Sequence, residues 1–386
     1  MRTIGVVTVG RSDYGIYLPI LREIQEQPDL RLHLMVSGMH LSPEFGLTVE
    51  VIEADGFVIG DRVEMLLSSD TPEAIAKSMG LGTIGFAQAY ARCRPDILVV
   101  LGDRFEMHAA ALAALPFKIP IAHIHGGEIT EGAIDDALRH GLTKLAHLHF
   151  VATEEYARRV RQMGEEPWRV VVSGAPSLDN LGGITLLEPQ DLAARYGLPL
   201  DEPPLLVTYH PVTLEYEQIE WQVRELLGAL ETFDLPVIFT RPNADTGGRI
   251  IARLIREYIE ARPGARLEDT LGTQAYFSMM AAAAVMVGNS SSGIIEAPSF
   301  GTPVVNIGSR QAGRIRAPNV IDVGYERGEI AVAIRRALSP EFRRSLQGMK
   351  NPHGDGHAAE VIVRRLREVS LDRRLIVKRF VDGPPP

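Results

Sequence analysis

Short runs of β-branched and aliphatic residues recur along the chain, separated by longer stretches in which apolar residues return every third or fourth position. The runs are TIGVVTV at 3–9, LRLHLMVSG at 30–38, DILVVLG at 96–102, PIAHIHG at 120–126, HLHFVAT at 147–153 and WRVVVSG at 168–174. Each has the length of a strand, and the segments between them carry helical patterns. This is the rhythm of a doubly wound parallel sheet. A turn-rich stretch with Gly182, Gly183 and LPLDEPP at 198–204 interrupts it. The rhythm then restarts with PLLVTYH at 204–210, PVIFTRP at 236–242, VMVGNS at 285–290, PVVNIG at 303–308 and NVIDVG at 319–324. The pattern predicts an α/β chain of two Rossmann-like domains facing a central cleft. The expected bounds are 1–180 for the N-terminal domain, 181–199 for a linker, 200–365 for the C-terminal domain and 366–386 for a basic tail. The tail closes in GPPP, which cannot continue a helix and is expected to fray.

Composition narrows the class. A chain of 386 residues has room for two ordinary cores, and 45% apolar with 23% charged residues is the balance of a soluble globular protein. No stretch approaches the ~18 uncharged apolar residues that a membrane span needs. The first apolar run is too short for a signal-peptide core and leads into turn chemistry, so a cytoplasmic protein is expected. The single Cys93 excludes internal disulfides and cysteine-rich zinc modules, and reads as a small buried hydrophobe. A net charge of −9 opposes nonspecific attraction to nucleic acid or anionic lipid. The arginines therefore have to be read one at a time.

Open α/β sheets bind ligands at the carboxyl ends of their strands, and the titratable residues fall there. Arg11 in VGRSDYG sits on the turn after the first run, where helix amides favour an anion. Asp103 in LGDRFEMHAA ends the third run; a helix N-cap is an equally good explanation for it. HIHGGEITEGAIDDALRH at 123–140 gathers His123, His125, Glu128, Glu131, Asp135, Asp136 and His140 around a glycine turn, a density that points to proton transfer. His123 and His125 would share one strand face, and a metal site with Glu128 or His147 is conceivable, although no HExxH or paired-cysteine spacing supports it. GLGTIG at 80–85 fits a dinucleotide fingerprint but follows a helical pattern that starts at Pro72, so a nicotinamide site is not expected.

In the second half His210 ends a run, placed to bond a phosphate or sugar oxygen or to move a proton. Arg241, Asn243 and Asp245 follow the next run, ahead of glycines that permit close backbone approach. VGNSSSGIIEAPSFGTPVVNIGSRQAGR at 287–314 opens a helix through Ser290 and Ser291, with hydroxyls and free amides suited to a diphosphate. Glu296 lies one turn on, and Arg310 and Arg314 follow the next run. A carboxylate there can accept from both ribose hydroxyls, and an arginine fork can neutralise phosphate oxygens.

With VGRSDYG, GDRFE, HIHGGE, IDDALRH, TKLAH, TEEYARRVRQMGE, HPVT, RPNAD and GNSSSGIIEAPSFGTPVVNIGSRQAGR in this order, the chain resembles the hydrolysing UDP-N-acetylglucosamine 2-epimerases, in the branch serving sialic-acid and legionaminic-acid synthesis. The resemblance implies a GT-B-like fold, a UDP-sugar substrate, a homodimer, and neither metal nor nicotinamide. It implies that the C2 proton is removed and UDP expelled, leaving a 2-acetamidoglucal that water then hydrates. Carried over, Asp103 and Asp135 match proton-transfer positions, and His210 matches a histidine near the diphosphate. Ser290, Ser291, Glu296 and Arg310 match the UDP set, and Arg11 matches an arginine that reaches the phosphates. Where some members have glutamate in HIEGGE, this chain has His125, so the second acid/base is either His125 or Glu128. The close alternative substrate is UDP-N,N'-diacetylbacillosamine; a GT-B glycosyltransferase and a non-catalytic UDP-sugar sensor are the readings from other classes.

Overall fold

The last five residues of strand β1 (Arg2–Thr8) are buried, so the run carries no polar alternation, as in a strand covered on both faces. The structure, a computed structural model, describes residues 1–69, 71–130, 134–197, 202–241, 248–268 and 271–383. With β1 lie β2 (Leu30–Ser37), β3 (Ile59–Val63), β4 (Ile97–Leu101), β5 (Ile121–Ile124), β6 (Leu148–Val151) and β7 (Val170–Val172). They form one parallel sheet in the order β3-β2-β1-β4-β5-β6-β7. A second parallel sheet contains β8 (Leu205–Thr208), β9 (Val237–Thr240), β10 (Ala265–Glu268), β11 (Val285–Gly288), β12 (Val304–Ile307) and β13 (Val320–Val323), in the order β10-β9-β8-β11-β12-β13. Both orders start in the middle and reverse direction between the first and fourth strands, so each half is Rossmann-like. No helix among the described residues is long and apolar enough to cross a membrane.

The eleven runs read from the sequence are all strands. The two that were missed, β3 and β10, are edge strands with polar positions in IGDRV and ARLE that break the apolar run. In the second sheet, alternation divides neighbours between two cores. Leu205, Val207, Val285, Val287, Val305 and Ile307 face one, while Leu206, Ile238, Met286 and Val304 face the other.

The chain divides into two units, with Met1–Glu128, Ile134–Gly182 and His353–Pro386 in the first and chiefly Gly183–Pro352 in the second. Two boundaries differ from the expected ones. The span 181–199 is not a bare linker, since Pro189–Tyr196 is a helix whose Leu192 is fully buried in the second unit. The helix Ala358–Glu368, expected in the C-terminal domain, belongs to the first unit. Its Ala358, Ile362, Val363 and Leu366 join the core of the first sheet, and Asp179 caps its start through the Ala358 and Ala359 N–H groups at 2.9 and 2.5 Å. An amphipathic pattern predicts a helix but does not say which core its apolar face will cover.

The segment after 366 is held too. Arg169, fully buried, donates to the carbonyls of Arg374, Leu375 and Val377 at 2.7, 2.8 and 3.1 Å. Lys378 reaches the buried carboxylate of Glu165 at 2.7 Å, and the Val381 N–H donates to the Gly164 carbonyl at 3.0 Å. The tail's positive charges disguise this docking as solvation.

Candidate active site

In the first unit the carboxyl end of β4 delivers Asp103. The following helix, Phe105–Ala114, has Arg104 and not Asp103 at its N-cap, so capping does not explain the aspartate. Its Oδ2 instead accepts from Nη2 of Arg139 on the helix Ile134–Leu145. Arg139 is only 2% exposed, and its Nε and Nη1 have no partner among the described residues. Burial alone would weaken its hold on the proton, but the surrounding Asp103, Glu128, Asp135 and Asp136 outweigh it and raise the pKa. One guanidinium therefore collects four of the carboxylates singled out in the sequence. Sequence reading missed it because DDALRH has the look of a solvated helix face.

His125 does not share a strand face with His123. Strand β5 ends at Ile124 and His125 turns to φ 64°, an uncommon conformation for a residue with a side chain. The turn brings His125 Nδ1 to 2.6 Å from Glu128 Oε1, and both side chains are buried. His123 points elsewhere: its Nε2 donates to the Gly102 carbonyl at 2.7 Å, and burial lowers its pKa to about 3. His147 Nδ1 accepts from the Ile121 N–H at 3.1 Å. Both histidines are thus committed to the backbone, away from the imagined metal site. Asp135 and Asp136 stand half-buried in the first turn of Ile134–Leu145, with Asp136 3.4 Å from His140.

Arg11 is exposed and opens the helix Arg11–Glu26. Beneath it lies another missed group: Asp13 accepts from Thr8 Oγ1 and the Val9 N–H at 2.7 and 2.9 Å. Burial raises its pKa to about 6, against the pull of those hydrogen bonds and of Arg104. His40 Nε2 lies 3.0 Å from the same Thr8 hydroxyl, and burial lowers its pKa to about 4. GLGTIG falls inside the helix Pro72–Arg92 and follows no strand, so the fingerprint context is absent.

In the second unit the ends of β8, β11 and β12 converge on Asn289. Gly288 makes this possible, because a Cβ there would lie 2.0 Å from the Thr208 carbonyl oxygen and its φ is 134°. Fully buried Asn289 accepts from the His210 N–H at 2.7 Å and donates to the His210 carbonyl at 2.8 Å. Its own carbonyl accepts from Arg310 Nη1 at 3.1 Å and Gln311 Nε2 at 2.8 Å. Burial, aided by Arg310, lowers the His210 pKa to about 3, which keeps the ring neutral and able to donate or accept. Ser290 is the N-cap of the helix Ser291–Ile295, its Oγ accepting from the Ser292 N–H at 3.3 Å, and Glu296 closes that helix. Tyr276, also missed, brings its hydroxyl to Ser290, Ser292 and Thr208, and burial raises its pKa.

The structure therefore brings His210, Ser290, Ser291 and Arg310 to one surface, with Glu296 one short helix away. Arg314 lies further along the same loop as Arg310, half-buried. Arg241 is exposed after β9, its N–H donating to the Glu268 carbonyl at 3.2 Å. Asn243 and Asp245 lie outside the described residues.

A family model described as UDP-N-acetylglucosamine 2-epimerase matches residues 22–367. The chain is similar to the GDP/UDP-N,N'-diacetylbacillosamine 2-epimerase (hydrolyzing) of Campylobacter jejuni, 39% identical over 99% of both chains. It is also similar to the UDP-N,N'-diacetylbacillosamine 2-epimerase (hydrolyzing) of Legionella pneumophila, 38% identical over 98% of this chain and 99% of the relative. Among solved structures, the UDP-GlcNAc 2-epimerase from Neisseria meningitidis bound to UDP-GlcNAc shares the fold, with a TM-score of 0.83 at 18% identity, over 96% of this chain and 100% of that one. Two Rossmann-like units, acid/base groups at the strand ends of one and an anion-suited loop set in the other, together with a family match over most of the length, place this chain in the UDP-N-acetylglucosamine 2-epimerase family.

Proposed function

We propose that the chain is a hydrolysing 2-epimerase that converts a UDP-activated 2-acetamido sugar and water into UDP and the free sugar inverted at C2. The observation that carries this reading is the set around Arg139: Asp103 past the end of β4, the His125–Glu128 pair past the end of β5 and Asp135 in the first turn of the following helix bring titratable groups suited to proton transfer together. A glycosyltransferase has no need of paired acid/base groups, and a sensor has none for a buried dyad.

In the proposed sequence a base on one face of the sugar takes the C2 proton as the C1–oxygen bond to UDP breaks, leaving a 2-acetamidoglucal. Water then adds to C1, giving up a proton, while an acid on the other face protonates C2. Asp103, Asp135, His125 and Glu128 share these proton transfers. His210, Arg310, Ser290 and Ser291 take up the charge that develops on the departing diphosphate. Glu296 accepts from the ribose, and Arg11, Arg314, Arg241, Asn243 and Asp245 complete the substrate contacts. Both relatives at 38–39% identity carry the diacetylbacillosamine name, which supports the 4-acetamido sugar as the preferred substrate. The family description supports UDP-N-acetylglucosamine as the second reading.

The reading includes a cytoplasmic location and a homodimer. Leu81 and Ile84 on the helix Pro72–Arg92, with Leu112 and Leu115 at the end of the helix packed against it, are exposed, an apolar surface of the kind a second copy covers. Proton NMR in D₂O with each UDP-sugar and no acceptor is the test, with light scattering on the same sample. Release of UDP with C2-deuterated, C2-inverted free sugar is expected, faster from the 4-acetamido substrate, from a particle of twice the chain mass. Unchanged spectra with both substrates would sink the epimerase reading, and a monomer would sink the dimer.

A further inference from the structure

The loops carrying His210 and Arg310 are fastened to each other twice. Asn289 does it from inside the second unit, as described. The second fastening runs through Glu215, a residue with no part in the chemistry above. The 3₁₀ segment Thr213–Gln218 breaks at Glu215, where φ and ψ are −121° and 22°. Its carboxylate, half-buried, accepts from Ser309 Oγ at 2.5 Å through one oxygen, and from the Tyr325 hydroxyl at 2.5 Å and Gln222 Nε2 at 2.9 Å through the other.

Each partner leads back to a ligand-facing residue. Ser309 precedes Arg310, and its N–H donates to the Tyr325 oxygen at 3.2 Å. Gln222 Oε1 accepts from the Tyr209 hydroxyl at 3.1 Å, and Tyr209 precedes His210. The Tyr325 ring occupies the space where a Cβ at Gly308, with φ 73°, would lie, 2.2 Å from its carbons. The aromatic ring can therefore lie over the turn that launches the Arg310 loop only because residue 308 is glycine. All three donors to Glu215 are neutral, so the carboxylate acts as a geometric hub and neutralises no charge among them.

We propose that Glu215 is a positioning residue for the diphosphate site, tethering the Arg310 loop to the His210 loop so that guanidinium and imidazole are arranged before the ligand arrives. The inference rests on the reading that this surface holds UDP. An arginine on an untethered loop must lose loop and rotamer freedom on binding, and that loss subtracts directly from affinity.

The test is UDP affinity by calorimetry and uridine affinity by NMR titration, for the wild-type protein, Glu215→Ala, Glu215→Gln, Arg310→Ala and the Glu215→Ala/Arg310→Ala double variant. Glu215→Ala is expected to weaken UDP about tenfold and to leave uridine unchanged. It should weaken UDP less once Arg310 is alanine, since part of its effect runs through that guanidinium. Glu215→Gln keeps an acceptor for Tyr325 and Gln222 and should recover most of the affinity. Three results overturn the proposal alone: UDP binding by Glu215→Ala equal to wild type, parallel loss of UDP and uridine, or full additivity in the double variant. Wild-type protein that binds no UDP overturns the reading beneath it as well. If Glu215→Ala does not fold, Tyr325→Phe deletes one donor to the hub, and undiminished UDP binding there is equally fatal.

Discussion

A guanidinium shut away among carboxylates is expensive to desolvate, and Arg139 is tolerated because Asp103 meets it directly while Glu128, Asp135 and Asp136 surround it. The arrangement keeps Asp103 engaged with Arg139, and in the proposed reaction it leaves proton transfer to the His125–Glu128 pair. Glu128→Gln preserves the shape and one oxygen at the 2.6 Å contact but cannot take a proton. We expect it to lower kcat by about a hundredfold or more with KM little changed, read as UDP released per second; an undiminished kcat would assign the proton transfers to Asp103 and Asp135. Half of this site was legible in the sequence. Asp103, His125 and Glu128 crowd the ends of two apolar runs, and that density is a local signal. Arg139 gave none, because the partner that explains its burial lies 36 residues away, across a helix and a strand.

At the scale of elements, legibility followed the continuity of the apolar run. The edge strands β7 and β13 begin with aliphatic pairs and read as strands, whereas β3 and β10, also at sheet edges, are broken by the charges of IGDRV and ARLE and did not. The last segment was hardest, since its lysine and arginines describe a solvated tail while Arg169 and Glu165 beneath describe a dock. Arg169 serves the His147 carbonyl as well as three carbonyls of the tail, a fan of donors that no other side chain can reproduce. Arg169→Met should cost the first unit about 3 kcal/mol, and lysine at this position should restore little. Calorimetric unfolding is the measurement, and a midpoint that does not move would mean the segment adds nothing to the unit's stability.

For the molecule as a whole, acid should act on the two units unequally. Burial holds His40, His123 and His147 of the first unit at about 4, 3 and 4, and His210 of the second at about 3. An unfolded histidine takes a proton near pH 6.5 while these folded ones do not. The unfolded chain therefore binds more protons, and stability falls as pH drops from about 6.5 toward 4. Each group contributes a slope of up to about 1.4 kcal/mol per pH unit. Asp13 works in the opposite sense, its folded pKa of about 6 lying above the usual 3.8, so it favours the folded state as pH falls through that window. His108 and His149 of the first unit are lowered by burial as well, and Asp179 is raised. Five histidines against two aspartates leave the first unit the more acid-sensitive, and scanning calorimetry from pH 7.5 to 5 should show its transition falling further than that of the second. Equal shifts would mean that the buried rings are not held neutral or that the units melt together. The return of the chain from His353 onward has a temporal side as well. The Arg2 guanidinium donates to the carbonyls of Leu366, Arg367 and Val369, so strand β1, made before the second unit, waits for a helix made after it. Begun before the second unit, the first is finished after it, and during synthesis its open flank stays uncovered until the intervening unit has emerged.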